Sequence, residues 1–290
     1  MREFVITTDS TVDLPKSMLE DKNIPYIPLS YILDGETYED RKGLSSKEFF
    51  DKIRNGSMPT TSQVNPEQAT EFFEPFLKEG KDILHIAFSS GLSGTYNSTR
   101  IAGEELAEKY PEAKIIIIDS LRACLGQGML VVKALQQKEE GKGIEEITQW
   151  VQEYRTKICA NVTVDDLNHL HRGGRVSKAT AILGTVVQIK PIIHMDDEGK
   201  LQVIGKERGR KKALNKIVDM MEEQMKGYES ENDLIFITHG DCLEDANYLK
   251  SRVEKKYGIS NIVINDIGTV IGTHTGPGVA AVFCIGNTLQ

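Results

Sequence analysis

The run Lys114-Ile-Ile-Ile-Ile118, ending in Asp119-Ser120, restricts the fold more than any other stretch of this chain. A β-branched block without polar alternation fits a strand covered on both faces, as in a parallel sheet packed between helices. Two further apolar runs, 4–8 and 83–88, precede it, and helical patterns fall at 45–54, 66–78, 97–110, 126–139 and 144–155. Alternating strand and helix predict an α/β layer architecture.

Beyond residue 157 the pattern changes. Strands are expected at 158–164, 233–238 and 261–267, and helices at 178–187, 211–225 and 244–257. Segments 189–194 and 201–205 read as an antiparallel hairpin around Asp196-Asp-Glu-Gly199. The expected fold is α/β in two lobes, an N-terminal parallel-sheet domain over 1–156 and a C-terminal mixed α/β domain over 157–290. A chain of 290 residues suits this division, because single cores stop growing at roughly 250 to 300 residues.

A formal charge of −8 disfavours nucleic acid as a partner, since that affinity rests on Lys and Arg neutralising phosphates. No basic segment with an apolar core follows Met1 and no run approaches about 20 apolar residues, so a cytoplasmic protein is expected. Cys124, Cys159, Cys242 and Cys284 stand far apart without metal-ligand spacing, which predicts reduced thiols and no metal.

Three polar stretches carry the chemistry. Ser89-Ser-Gly-Leu-Ser-Gly-Thr95 follows a strand and opens a helix, an arrangement in which backbone N–H groups converge on an anion. Ser89, Ser90, Ser93 and Thr95 are candidate donors, with simple N-capping by Ser93 or Thr95 as the alternative. The turn lacks the G-x-S-x-G spacing of a nucleophile elbow and the Lys-Ser or Lys-Thr of a P-loop. Pro59-Thr-Thr-Ser-Gln63 offers three consecutive hydroxyls ahead of a helix, again with capping as the alternative. In Gly272-Thr-His-Thr-Gly-Pro-Gly278 the glycines allow close approach, and His274 can donate to a carboxylate or phosphate.

Together with Asp9-Ser-Thr11 and Gly173-Gly-Arg175, these stretches resemble, in order and over essentially the whole chain, the signature set of the DegV family. The resemblance implies a two-domain fatty-acid-binding protein with the lipid between its lobes, similar to the acyl-binding subunit of bacterial fatty acid kinase. Carried over by position, it makes Thr61 and Ser93 the carboxylate donors and His274 a third polar contact. It also makes Arg175 and Arg208 a kinase-docking or phosphate-facing pair. The partners it implies are a long-chain fatty acid such as hexadecanoate and a separate ATP-dependent kinase subunit. A transient membrane-surface contact and a monomeric state are expected as well, without a cofactor or catalytic residues.

Neutral hydroxyls and amides can hold an ionised carboxylate without supplying a base to activate it. At about 0.8 kcal/mol per buried CH₂, a long tail supplies on the order of 10 kcal/mol gross, so the head group mainly fixes orientation. Apolar lining is expected from 182–187 and 279–285. The competing functions are a serine hydrolase using Ser93, a transferase acting on a phosphorylated substrate, and a regulator whose lipid occupancy another protein reads.

Overall fold

The computed structural model describes residues 2–177 and 188–288. The helix expected at 178–187, with its apolar stretch 182–187, lies outside them. The strands in chain order are β1 (Phe4–Asp9), β2 (Tyr26–Ile27), β3 (Ser30–Leu33), β4 (Glu36–Glu39), β5 (Thr60–Ser62), β6 (Asp82–Ala87) and β7 (Ile115–Asp119). They continue as β8 (Ile158–Thr163), β9 (Ile189–Met195), β10 (Leu201–Arg208), β11 (Ile235–His239), β12 (Ile262–Asp266) and β13 (Ala280–Ile285).

The first half holds a parallel sheet in the order β2-β1-β6-β7. The isoleucine run is its edge strand rather than a fully enclosed one: Ile115, Ile116 and Ile117 are only half-buried. Both faces are nevertheless covered, Ile115 and Ile117 packing with Ala102 and Leu106, and Ile116 and Ile118 joining the cluster of Ile144, Ile147 and Trp150. The expected covering is present, and the open flank accounts for the exposure.

A small antiparallel sheet, β4-β3-β5, was not anticipated. It carries Thr61, which pairs with Tyr31. Capping is therefore not the task of the hydroxyls at 60–62. The following helix, Pro66–Lys78, is capped by Asn65 and Gln68 in a reciprocal box.

The second half is a mixed six-stranded sheet in the order β10-β9-β8-β13-β11-β12, antiparallel except for β11 with β12. The helix expected over 211–225 is two pieces, Arg210–Asp219 and Met221–Gln224. One face of this sheet, including Cys159, Ile235, Ile237, Val282 and Cys284, packs on the helices Arg210–Asp219 and Leu243–Tyr257. The other face, including Ala160, Ile193, Phe236, Ala281 and Phe283, belongs to the core shared with the first half. Strand β13 is apolar at every position, so no alternation announces it in the sequence.

Candidate functional site

The serine turn is held by carboxylates at neighbouring strand ends. Asp9 Oδ2 accepts the Phe88 N–H at 2.7 Å, and Asp119 Oδ1 accepts the N–H groups of Ser90 and Leu121 at 3.1 and 2.9 Å. Burial pushes Asp9 up to about 6 despite the bonds from Thr11, Phe88 and Gln127. Against the turn rests the tip of the β9–β10 hairpin: Ser89 Oγ donates to Gly199 O at 2.8 Å. The approach is close enough that a Cβ on Gly91 would lie 2.6 Å from Gly199 O. Ser93 Oγ accepts the Thr95 N–H at 3.2 Å and lies 3.0 Å from Thr95 Oγ1. No side chain caps the helix Thr95–Lys109 at Gly94 itself.

From the other side comes the short helix Thr269–Thr275, which delivers His274 to Thr61, with Nε2 and Oγ1 2.9 Å apart. His274 Nδ1 is buried without a partner and rests on Gly173, where any side chain would meet it. Burial, reinforced by the charge of Arg175, pushes His274 down to about 4, so the ring is neutral near pH 7. The cheaper tautomer leaves a bare lone pair, not an N–H, at the unpartnered Nδ1. Nε2 then donates to Thr61 Oγ1, and the Thr61 hydroxyl hydrogen is free to point elsewhere.

Arg175 bridges the two halves. Its Nε and Nη2 donate to Leu92 O in the serine turn at 3.1 and 2.9 Å, and its Nη1 donates to Gly173 O. It forms no ion pair among the described residues, and burial lowers its pKa.

These groups stand at one end of a cavity of about 310 Å³ between the sheet of the second half and the turns of the first. Along the sheet the lining alternates: Ala160, Val162 and Val164 on β8 and the residue after it, and Val279, Ala281 and Phe283 on β13 and the residue before it. Pairing of Ala280 with Thr163 and of Phe283 with Ala160 sets the direction, with Val279 and Val164 at one end and Phe283 and Ala160 about 13 Å away. Phe283 is backed by Gly126 and approached by Ala123 and Cys124 at the start of the helix Cys124–Glu139. Outside Thr61, His274 and Arg175 the cavity meets an exposed vestibule bordered by Met58, His169 and Arg172. The arrangement is therefore amphipathic, with hydroxyls, an imidazole and a guanidinium at one end and a remainder that is apolar along the sheet apart from Thr238.

The family model described as "Uncharacterised protein, DegV family" matches residues 3–287. The chain belongs to the DegV family. A DegV domain-containing protein of Clostridium perfringens is 48% identical over 292 residues, covering all of both chains. Among solved structures, a fatty-acid-binding DegV protein from Thermus thermophilus is similar with a TM-score of 0.86 and 30% identity, over 99% of this chain and all of that one. A stearic-acid-binding protein from Eubacterium ventriosum is similar with a TM-score of 0.88 and 26% identity, over 98% of both chains. These DegV neighbours share the two-domain α/β fold.

Of the residues singled out in the sequence, Thr61, Ser93, His274 and Arg175 border the one cavity, and three of them also border its vestibule. Arg208 does not join them: it ends β10 opposite Ile189 and borders neither space. Gly173 and the Leu92 carbonyl, which set the positions of His274 and Arg175, were missed; the Gly173-Gly-Arg175 stretch was the signal. Among the described residues no cluster of three or more His, Cys, Asp or Glu could hold a metal, and no helix is long and apolar enough to cross a membrane. Cys124, Cys159, Cys242 and Cys284 are free.

Proposed function

We propose that this DegV protein binds a long-chain fatty acid such as hexadecanoate, its carboxylate taking hydrogen bonds from Thr61 and Ser93 and its tail lying along the apolar sheet face. The observation that carries the reading is the 2.9 Å contact of His274 Nε2 with Thr61 Oγ1 at the polar end of a largely apolar cavity; with Nε2 as the donor, one hydroxyl hydrogen remains for a ligand. Arg175 supplies a nearby positive charge that no carboxylate of the described residues compensates. The fatty-acid-binding neighbours from Thermus thermophilus and Eubacterium ventriosum support the same ligand class.

A carrier that fixes which end faces outward suits presentation of the acid to a separate ATP-dependent kinase subunit, in the cytoplasm and as a monomer. In this reading the phosphate-facing role falls on Arg175, since Arg208 stands apart from the vestibule. The lobes divide at residue 156, between the helix Ile144–Tyr154 and β8, a reading supported by strand pairing that, among the described residues, does not cross that point. Hydrolysis by Ser93 is disfavoured because its hydrogen bonds go to Thr95, while His274 bonds Thr61.

Native mass spectrometry of freshly purified protein tests the binding. The expected result is one bound mass, released as a long-chain acid on denaturation and reduced in the Thr61→Ala, Ser93→Ala double variant. Undiminished retention by that variant refutes the head-group assignment, and labelling of Ser93 by a fluorophosphonate refutes the carrier. Mixing the loaded protein with candidate kinases and ATP tests presentation, the expected product being an acyl phosphate.

A further inference from the structure

Behind the cavity wall formed by Cys124 and Val270, two carboxylates are buried together. Asp13 follows the turn Ser10–Val12 in left-handed backbone, φ 47°, and Asp40 follows β4; both have no exposed surface. A Cβ on Gly268 would run into Asp13 Oδ1 and lie 3.5 Å from Asp40 Oδ1, so the two carboxyl groups flank one glycine of the second half. Asp40 Oδ1 accepts from Thr269 Oγ1 at 2.7 Å and from the Val270 N–H at 3.4 Å. The Asp13 carbonyl accepts from Asn265 Nδ2 at 2.8 Å.

Both Asp13 carboxylate oxygens and Asp40 Oδ2 have no partner in full hydrogen-bonding geometry. Arg41 is the neighbouring cation, but it turns Nη2 to Leu14 O at 2.5 Å and pairs with neither carboxylate. The other titratable neighbours are the Cys124 thiol beside Asp13 and the Tyr31 phenol beside Asp40. The C-terminal segment contributes only neutral groups, Asn265, Gly268 and Thr269. Two carboxylates in so apolar a setting do not both ionise readily, because each raises the other's cost of carrying charge. Burial and the charge of Asp40 push Asp13 up to about 7, and burial raises Asp40 as well.

The pair joins two loops of the first half to the start of the helix Thr269–Thr275, which carries His274 and the cavity-lining Val270 and Ile271. We propose that Asp13 and Asp40 form a proton-operated latch: with one proton between them they hold this helix against the first half and keep the acyl cavity closed, and with both ionised they release it. The consequence for ligand exit rests on the fatty-acid reading above; the latch itself does not.

The test uses the full chain, loaded and delipidated, from pH 5 to pH 8. Amide-exchange protection of residues 268–275, corrected for intrinsic rates, should fall by up to about tenfold per pH unit as the pH rises from 5 to about 7, and level off above that. Dissociation of palmitate into phosphatidylcholine vesicles should accelerate in parallel. Asp13→Asn, which keeps a neutral side chain and tolerates left-handed backbone, should hold both near their pH 5 values. Asp40→Asn should do the same and serves if the first variant does not fold. A flat wild-type protection profile, or an unchanged slope in the Asn variants, overturns the latch. Protein that never binds palmitate overturns the ligand reading instead, while the protection profile still decides the latch.

Discussion

Gly173→Ala isolates the polar end of the cavity from everything else. The backbone there has φ −71° and ψ −9°, so alanine fits without strain and the change alone should be neutral or stabilise the fold by about 0.4–1 kcal/mol. The new Cβ, however, would stand 3.1 Å from His274 Cε1 and 3.2 Å from Cγ, with Nδ1 nearer still. The ring cannot advance on Thr61, already at 2.9 Å, so it must swing aside. A swing of about 1 Å takes Nε2 beyond hydrogen-bonding distance. Thr61 then loses the donor that orients its hydroxyl, and the charge-assisted bond to the ligand weakens by up to about 1.5–3 kcal/mol, or roughly 10- to 150-fold in affinity. Calorimetric titration of delipidated protein with palmitate and with hexadecanol separates this from general damage. The acid should weaken by that factor, the uncharged alcohol by less, and the melting temperature should change little, the backbone gain offsetting the lost His274–Thr61 bond. Equal affinity for palmitate in variant and wild type would refute the reasoning, as would equal losses for acid and alcohol with a lowered melting temperature.

Ser93→Ala should likewise lower palmitate affinity by about 1.5–3 kcal/mol while sparing the alcohol, read by the same titration. Gly126→Ala should place a Cβ about 3.1 Å from Phe283 Cδ1, push that ring into the far end of the cavity and shorten the mean chain length of co-purified acids, read by mass spectrometry. Asp13 has its pKa raised from 3.8 to about 7 in the fold, so the native state binds the proton more tightly and stability falls as pH rises through that window. Urea unfolding should therefore show Asp13→Asn gaining on wild type by up to about 1.4 kcal/mol per pH unit between pH 4 and 7. His85, bonded to Thr7 Oγ1 at 2.9 Å and pushed by burial from 6.5 down to about 3, acts in the opposite direction. Its contribution is lost as pH falls below 6.5, and His85→Gln should flatten the acid side of the same curve.

The layered α/β plan was legible because strand and helix alternate with clear breaks, and the hairpin because Asp196-Asp-Glu-Gly199 is turn chemistry, with Gly199 at φ 72°. Thr61 and Ser93 were legible as hydroxyls in unusual density, yet what each does depends on partners far along the chain. Nothing local says that 60–62 would pair with β3 or that Asn65 would do the capping. The helix Thr269–Thr275 was not anticipated, because Gly272 and three threonines are poor helix formers. Its threonines instead bond back into the helix, Thr273 Oγ1 to Thr269 O and Thr275 Oγ1 to Ile271 O. Asp13 and Asp40 were invisible for a related reason. Each looks like an ordinary turn aspartate until Gly268 is brought between them.

The polar end of the cavity carries a positive charge that the described residues do not balance. Arg175 directs Nε, Nη1 and Nη2 to the carbonyls of Leu92 and Gly173, which satisfy hydrogen bonds but leave a partly buried positive charge without a counter-charge among the described residues. That charge helps hold His274 neutral. A bound carboxylate would reverse both conditions, since it opposes the guanidinium charge and accepts the Thr61 hydrogen that His274 makes available. Binding of the acid and a less depressed His274 therefore favour each other, as any two linked equilibria must. The same reasoning explains why neutral hydroxyls are used at positions 61 and 93. A lysine there would bring a second positive charge beside Arg175, raising the cost of the empty state, whereas hydroxyls add directional bonds without adding charge. In the proposed reading, Arg175 and the two hydroxyls would together favour an acid over an alcohol, and the hydroxyls would fix its orientation.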